Sequence, residues 1–275
     1  MPLSPRARRR LATGAAVSAL AMAVPGVAVA ATVGSPGSPP AGATTGTAGP
    51  DVRPSAGPGT LATALKACTP TTFSAAQQAL RVALQDRTAA IGRLQTTVAR
   101  AKDLPAADAA ELDAILHAEL STIDGAGLDG LVASVAADTT CAQLVTAAKA
   151  MVTDFRLYAL VAPQVRVTVA VGRGSALAAR VTAAEPRIAA RIARDARAGK
   201  DVAGALQAFA DLKVETAAAA ADLQRVSVPE LLAQVPSGYP ADRPVVESDL
   251  AAVRAAAQAG RTVRDDLQTI RHELA

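Results

Sequence analysis

The sequence predicts an all-α fold, an antiparallel bundle of about five long helices with coiled-coil character where heptads are sustained. Alanine, the strongest helix former, supplies 70 of the 275 residues. Aromatic residues make up only 2% of the chain, and tryptophan is absent. Apolar side chains recur every three or four positions, the spacing of one helix face. Small side chains where helices meet predict closely spaced axes and little room for a cofactor, so we expect none.

The first 30 residues predict a cleavable export signal. Four arginines within the first ten residues precede a short apolar run, Leu11–Val24. A small-x-small site, Ala28-Val29-Ala30, then predicts cleavage between Ala30 and Ala31. An uncleaved anchor is the alternative, although the run is shorter than the ~20 residues that cross a bilayer. Arg8-Arg9-Arg10-Leu11 partly matches a twin-arginine signal, and the general secretory route is favoured over it.

Residues 31–60 are predicted to be a disordered linker because they hold seven glycines and six prolines but no aromatic residue. Residues 61–275 are then long enough for one domain with a sizeable core. The whole chain carries 28 basic and 24 acidic residues. Removing the four signal arginines leaves 24 of each. A nearly neutral secreted chain lacks the basic footprint of a nucleic-acid-binding protein, so no nucleic-acid partner is expected.

The two cysteines, Cys68 and Cys141, are predicted to form a disulfide. An even cysteine count in an exported protein favours a bridge. Two helical segments, one out and one back, separate the two residues and place them at the same end of the bundle. Free thiols or a cross-linked dimer are the alternatives.

The first half of the domain carries three predicted helices. The stripe of the first holds Phe73, Gln77, Leu80, Leu84, Arg87, Ile91, Leu94 and Val98, and Leu104-Pro105 ends that helix. A second helix is predicted from about Ala106 to Ile123, followed by a glycine-rich break. The stripe of the third runs from Cys141 through Phe155 and Tyr158 to Ala162, where Pro163 interrupts it.

The segment after Pro163 has conflicting signals. Residues 165–171 alternate apolar and polar side chains, which taken alone indicates a strand. Arginines recur every seven residues from Arg166 to Arg194, however, which suits a helix face. We therefore predict a helix that ends at Gly199, although Gly172, Gly174 and Pro186 count against a straight one. Asp201 is predicted to cap the next helix, over residues 202–226, and Ser227–Glu230 resembles a capping box. After a proline-rich loop, the last helix spans about 253–274.

Two short segments carry a resemblance to a family. Asp154-Phe155-Arg156-Leu157-Tyr158-Ala159-Leu160 is followed by Pro163, and a late loop reads Gly238-Tyr239-Pro240. In these segments the chain resembles a set of secreted alanine-rich helical proteins of high-GC Gram-positive bacteria, over residues 68–275. The resemblance implies an exported helical domain with no assigned activity, and it transfers no site. The spacing of Asp154 and Tyr158 would also allow a hydrogen bond between them.

The arginine series is the strongest candidate for a binding surface. Its members are Arg173, Arg180, Arg187, Arg191, Arg194 and Arg197. Together with Lys200 they face only Glu185 and Asp195 in sequence, a local excess of positive charge. The series could contact an anionic cell-wall polymer or lipid headgroups. A solvated face paired with acids on a neighbouring helix is the favoured alternative.

The motifs of known chemistry are missing from the sequence. His117 and His272 are the only histidines, and neither lies in a metal-binding spacing. No nucleophile motif or phosphate-binding loop is present, so no catalytic, cofactor or metal site is predicted. We therefore expect a secreted or envelope-associated, non-enzymatic helical module with a structural or interaction role. Its partner is unknown, and could be wall polymer, a lipid surface or another envelope protein. Binding to anionic polymer or lipid through the arginine series ranks second, and an envelope enzyme third.

Overall fold

The computed structural model describes residues 58–121 and 127–275, and this part of the chain is helical without a β-strand. The all-α prediction is therefore confirmed. The predicted signal, its cleavage site at Ala30 and Ala31, and the predicted linker up to residue 57 lie outside the described residues. The first helix begins at Pro58, three residues inside the segment predicted as linker.

The helices follow one another through short connections. The first five are α1 (Pro58–Lys66), α2 (Phe73–Ala99), α3 (Ala106–Leu120), α4 (Leu128–Ala137) and α5 (Cys141–Thr153). A π-helical turn (Leu157–Val161) leads into α6 (Ala162–Arg197), followed by α7 (Ala203–Gln224) and α8 (Val228–Leu232). A 3₁₀ turn (Pro236–Gly238) precedes α9 (Arg243–Glu273). None of the described helices combines the length and apolar character needed to cross a membrane.

The first half of the chain packs into what we call the N-terminal core. It gathers the buried faces of α2, α3, α4 and α5 with the π-helical turn and the first residues of α6. Leu80, Leu84 and Ile91 of α2 are fully buried there, as the predicted stripe requires. Phe155 is buried in this core and Tyr158 packs against it, so both aromatic residues have packing roles.

The second half packs α6, α7 and α9 side by side. The distal core joins the second half of α6 and the first half of α7 to the end of α9, with Val181, Leu212 and Val263 among its members. The central core joins the first half of α6 and the end of α7 to the start of α9, with Val167, Leu223 and Val253. Helix α7 therefore runs opposite to α6 and α9.

Cys68 and Cys141 are joined at the edge of the N-terminal core. Their sulfur atoms lie at bonding distance and their Cα atoms 5.8 Å apart. Cys141 is the first residue of α5, which begins with a capping box: the Thr140 hydroxyl accepts from the Gln143 backbone N–H, and the Gln143 side chain accepts from the Thr140 N–H. This capping box fixes the backbone at the start of α5, and with it the direction in which the Cys141 side chain points.

The predicted break at Pro163 is wrong by nine residues. Helix α5 ends at Thr153, and Arg156 adopts a left-handed backbone with φ 36°. Pro163 instead lies in the first turn of α6, directly after the π-helical turn, and the helical backbone continues through it. The apolar stripe continues across the break because Phe155 and Tyr158 still face the N-terminal core. Stripe spacing alone could not locate it.

Helix α6 is continuous through Gly172, Gly174 and Pro186, the residues that favoured an interrupted helix in the sequence. Its first half is buried on both sides: Val165 and Val169 belong to the N-terminal core, and Val167 and Ala170 to the central core. This all-round burial explains the strand-like alternation, because a helix buried on every side carries apolar residues on every face. Pro186 is exposed, so the hydrogen bond it removes lies on the solvent side.

Gly199 ends α6 as predicted. It has a left-handed φ of 80°, its N–H donates to the Ala196 carbonyl, and the Lys200 N–H donates to the Asp195 carbonyl. This is the Schellman pattern, which favours glycine because a Cβ is strained at that φ. Val202, not the predicted Asp201, occupies the N-cap position of α7, and Asp201 lies one residue earlier, where its side chain accepts a hydrogen bond from the Ala203 N–H. Ser227 precedes α8 but its side chain makes no capping hydrogen bond, so the predicted capping box is wrong.

Candidate functional site

The six arginines of the predicted series lie along α6 but differ in environment. Arg180 pairs with Asp103, which follows α2. Both side chains are partly exposed, so the pair contributes little to stability but holds the guanidinium against the N-terminal half. Arg197 is exposed and donates from Nε to the Ala193 carbonyl, one turn earlier on the same helix.

Arg191 is bound on two sides. Its Nε donates to Asp195 at 2.7 Å, and its Nη2 donates to the main-chain carbonyl of Leu274 at 2.9 Å. The hydrogen bond from Arg191 lowers the pKa of Asp195, and the charges of Arg191, Lys200 and Arg194 lower it further, although burial opposes them. This arginine is thus a structural contact at the end of α9.

Arg187 and Arg194 are the least committed members of the series. Both are exposed, and neither forms a salt bridge with a described residue. They are seven residues apart on one helix, so they point the same way to within ~20° and are separated by about 10 Å. Together with exposed Arg197 they form a surface that we call the outer arginines.

Arg173 lies away from this surface, beside a cavity of about 190 Å³ between α6, α7 and α9. Small residues of all three helices meet there: Gly174 and Ala178 of α6, Ala219 of α7, and Ala256 and Gly260 of α9. The expectation that alanine-rich seams leave little room is wrong here. Glycine and alanine allow two helix backbones to approach closely. Where three helices meet, however, these small side chains do not fill the space between the three backbones.

The lining of this cavity is mostly apolar, with three polar exceptions. Arg173 is half-buried, Arg264 of α9 is exposed, and neither forms a salt bridge with a described residue. Thr216 of α7 is only 5% exposed, and its Oγ1 is buried without a hydrogen-bond partner among the described residues. Sequence reasoning missed Thr216 and Arg264 because each looks like an ordinary helix residue until three helices are placed together.

The two segments that carry the family resemblance lie in contact. Arg156 donates from Nε to the Pro236 carbonyl at 2.9 Å, and its guanidinium lies 4.8 Å from the centre of the Tyr239 ring. The left-handed conformation of Arg156 costs ~1–2 kcal/mol for a residue other than glycine. These contacts hold that turn against the loop before α9, so residues of both segments have packing roles.

Two half-buried polar side chains, Arg87 of α2 and Tyr158 of the π-helical turn, lie against each other. The Arg87 guanidinium is 5.3 Å from the centre of the Tyr158 ring. Burial lowers the pKa of Arg87 and raises that of Tyr158. The suggested hydrogen bond between Asp154 and Tyr158 is wrong: Asp154 accepts from Thr153, and the Tyr158 hydroxyl has no partner among the described residues.

Two buried carboxyl groups also stand apart from the predicted sites. Burial raises the pKa of Glu119 to about 8. Burial raises the pKa of Asp249 as well, and the nearby charge of Glu230 raises it further. His117 and His272 are exposed. Within residues 58–121 and 127–275, no three histidine, cysteine or acidic side chains are placed to hold a metal ion.

Comparison with known proteins gives no relative for this arrangement. No family of known proteins matches the chain, and no curated protein and no solved structure matches it either. The resemblance to secreted alanine-rich proteins therefore stays a prediction.

Proposed function

We propose that the protein is an exported, non-enzymatic interaction module that binds an anionic cell-wall polymer through the outer arginines, Arg187, Arg194 and Arg197. The exposure of Arg187 and Arg194, neither of which forms a salt bridge within residues 58–121 and 127–275, is the observation that carries this proposal. An arginine already paired with an acid gives up that pairing when it binds an anion, whereas an unpaired one does not. A guanidinium also binds phosphate or carboxylate through two parallel hydrogen bonds.

The geometry favours an extended anion over a compact one. Two guanidinium groups about 10 Å apart along a helix cannot bind one small anion together, but they can follow a chain with regularly spaced negative charges. The acids nearby offer limited competition, because Asp195 is buried and bonded to Arg191. This argument places wall polymer first and lipid headgroups second.

An antiparallel bundle with coiled-coil character along its long seams is part of the same proposal. The opposite direction of α7 relative to α6 and α9, and their shared apolar cores, support it. A rigid support of this kind would keep the outer arginines at a fixed spacing. Localisation to the envelope or the extracellular space rests on the predicted signal in residues 1–30.

Pelleting with purified Gram-positive cell walls tests the proposal. The mature protein should sediment with walls at low salt and be released at high salt, because exposed charge contacts are screened. The double variant Arg187→Gln/Arg194→Gln should lose most of this binding. The matched control Arg100→Gln/Arg254→Gln removes the same charge from exposed positions on α2's end and α9, and should bind like the wild type.

Three outcomes would overturn the proposal. Equal loss in both double variants would mean that net charge, not this surface, drives sedimentation. Unchanged binding of Arg187→Gln/Arg194→Gln would remove the surface from consideration. Sedimentation with vesicles of anionic phospholipid but not with walls would assign the same arginines to lipid headgroups.

A further inference from the structure

We propose that the cavity between α6, α7 and α9 binds a carboxylate with a short acyl chain, the chain among the small residues and the carboxylate toward Arg264 and Arg173. This inference is independent of the wall-binding proposal, because it uses neither Arg187 nor Arg194. Two observations carry it: the size of the cavity and the two cationic side chains on its border.

The cavity is large enough for a small apolar group. An apolar cavity of about 150 Å³ in a protein core stays dry and binds benzene. The present cavity, at about 190 Å³, exceeds that size, and it is partly open to solvent. Its wall combines small residues of all three helices with larger apolar side chains such as Leu177 and Leu223. At Gly174 a Cβ would lie 2.6 Å from Leu223 Cδ1, so a larger residue there would have to displace that side chain.

The arginines indicate that the occupant is anionic. Arg173 and Arg264 both border a cavity whose other lining residues, Thr216 apart, are apolar, and both lack a salt bridge within the described part of the chain. Positive charge beside an apolar cavity favours an amphiphile, with its apolar part enclosed and its charged end at the surface. The ligand that fits both the apolar cavity and the two arginines is an acyl chain that ends in a carboxylate.

Isothermal titration calorimetry of the mature protein with octanoate, octanol and acetate tests the proposal. Octanoate should bind saturably with one site per chain. Octanol keeps the chain without the charge and should bind about tenfold more weakly, the loss expected for one charge-assisted hydrogen bond. Acetate keeps the charge without the chain and should not bind. Octanoate that fails to saturate, or that binds no better than acetate, would overturn the proposal.

Variants assign the binding to this cavity. Arg173→Gln removes one of the two cationic side chains and should weaken octanoate about tenfold. Arg264→Gln should weaken octanoate about tenfold, whereas Arg254→Gln, on the same helix but outside the lining, should not. Ala178→Leu should fill the cavity and abolish binding.

Thermal unfolding of each free variant separates loss of the site from loss of the fold. If Ala178→Leu does not fold, Arg173→Gln and Arg264→Gln decide the question. Wild-type affinity in both of these variants would show that octanoate binds elsewhere and would overturn the proposal.

Discussion

Arg191 on α6 donates a hydrogen bond to the main-chain carbonyl of Leu274 at the end of α9, over 2.9 Å. The two residues are 83 positions apart in sequence. The contact satisfies a carbonyl that the last turn of a helix otherwise leaves without an intrahelical partner. It also removes Arg191 from the set of arginines available to a ligand, which no pattern in the sequence revealed.

Substitution of Arg191 should therefore affect stability more than substitution of its neighbours in the series. We expect Arg191→Ala to lower the free energy of unfolding by about 1 kcal/mol, the usual contribution of one such hydrogen bond. Arg187→Ala, at an exposed position without a salt bridge to a described residue, should change it by less than about 0.5 kcal/mol. Urea unfolding followed by circular dichroism measures both. Equal effects would contradict a structural role for Arg191.

Loss of the disulfide should destabilise the fold more than any single contact. Cys68 and Cys141 are 73 residues apart, and closing a loop of that length stabilises a protein by ~4 kcal/mol on the chain-entropy model. The double variant Cys68→Ser/Cys141→Ser should lose about that much in urea unfolding. Reductant should destabilise the wild type similarly but leave the variant unchanged. Two iodoacetamide-reactive thiols in the secreted wild-type protein would contradict the bridge.

Gln164 should be intolerant of apolar substitution despite its apolar surroundings. Its side chain is 1% exposed, and its Nε2 donates to the carbonyls of Leu231 and Gln234 at 2.8 and 3.0 Å. Gln164→Leu keeps the approximate shape but removes both hydrogen bonds, so we expect unfolding to become easier by ~1–3 kcal/mol. Gln85→Leu, at an exposed position on α2, is the control in the same urea experiment. A neutral effect of Gln164→Leu would mean that the donor is dispensable.

Glu119 should make stability depend on pH between about 5 and 8. Burial raises its pKa to about 8 in the folded protein, whereas an unfolded glutamate titrates near its ordinary value of ~4.3. Between these values the folded state keeps a proton that the unfolded state releases. The free energy of unfolding therefore falls as pH rises through this window, by at most ~1.4 kcal/mol per pH unit from this group.

Comparison of two glutamine variants isolates that contribution. Glu119→Gln, which cannot ionise, should flatten the fall in stability between about pH 5 and 8. Glu111→Gln, at an exposed position on the same helix, should keep the wild-type slope. Thermal unfolding across this pH range measures the slopes. An unchanged slope in Glu119→Gln would show that another group carries the pH dependence.

Much of the helical structure was predictable because its determinants are local. The stripe from Phe73 to Val98 gave α2 nearly to its ends, and Gly199 marked the end of α6 because its left-handed φ has a clear residue preference. The break at Arg156 was not predictable in this way. It depends on contacts with Pro236 and Tyr239, about 80 residues later, which outweigh the continuous stripe around it.

The candidate sites were less predictable because they depend on which residues meet. The seven-residue spacing of the arginines predicted a single helix face. Arg180, however, forms a salt bridge with Asp103, and Arg191 donates a hydrogen bond to the Leu274 carbonyl, and both partners are distant in sequence. The cavity forms where small residues of three helices meet, so it could not be predicted from the sequence of any one helix. The spacing of residues in the sequence predicts which face of its own helix a side chain occupies. It does not predict which residue of another helix that side chain contacts.

Helix α6 contributes to the N-terminal, central and distal cores alike. From Ala162 to Arg194 it covers about 48 Å, since each helical residue adds 1.5 Å. The disulfide lies in the half where this helix begins, and the outer arginines lie near its far end. The helix therefore fixes the distance between the disulfide-linked half of the domain and the outer arginines.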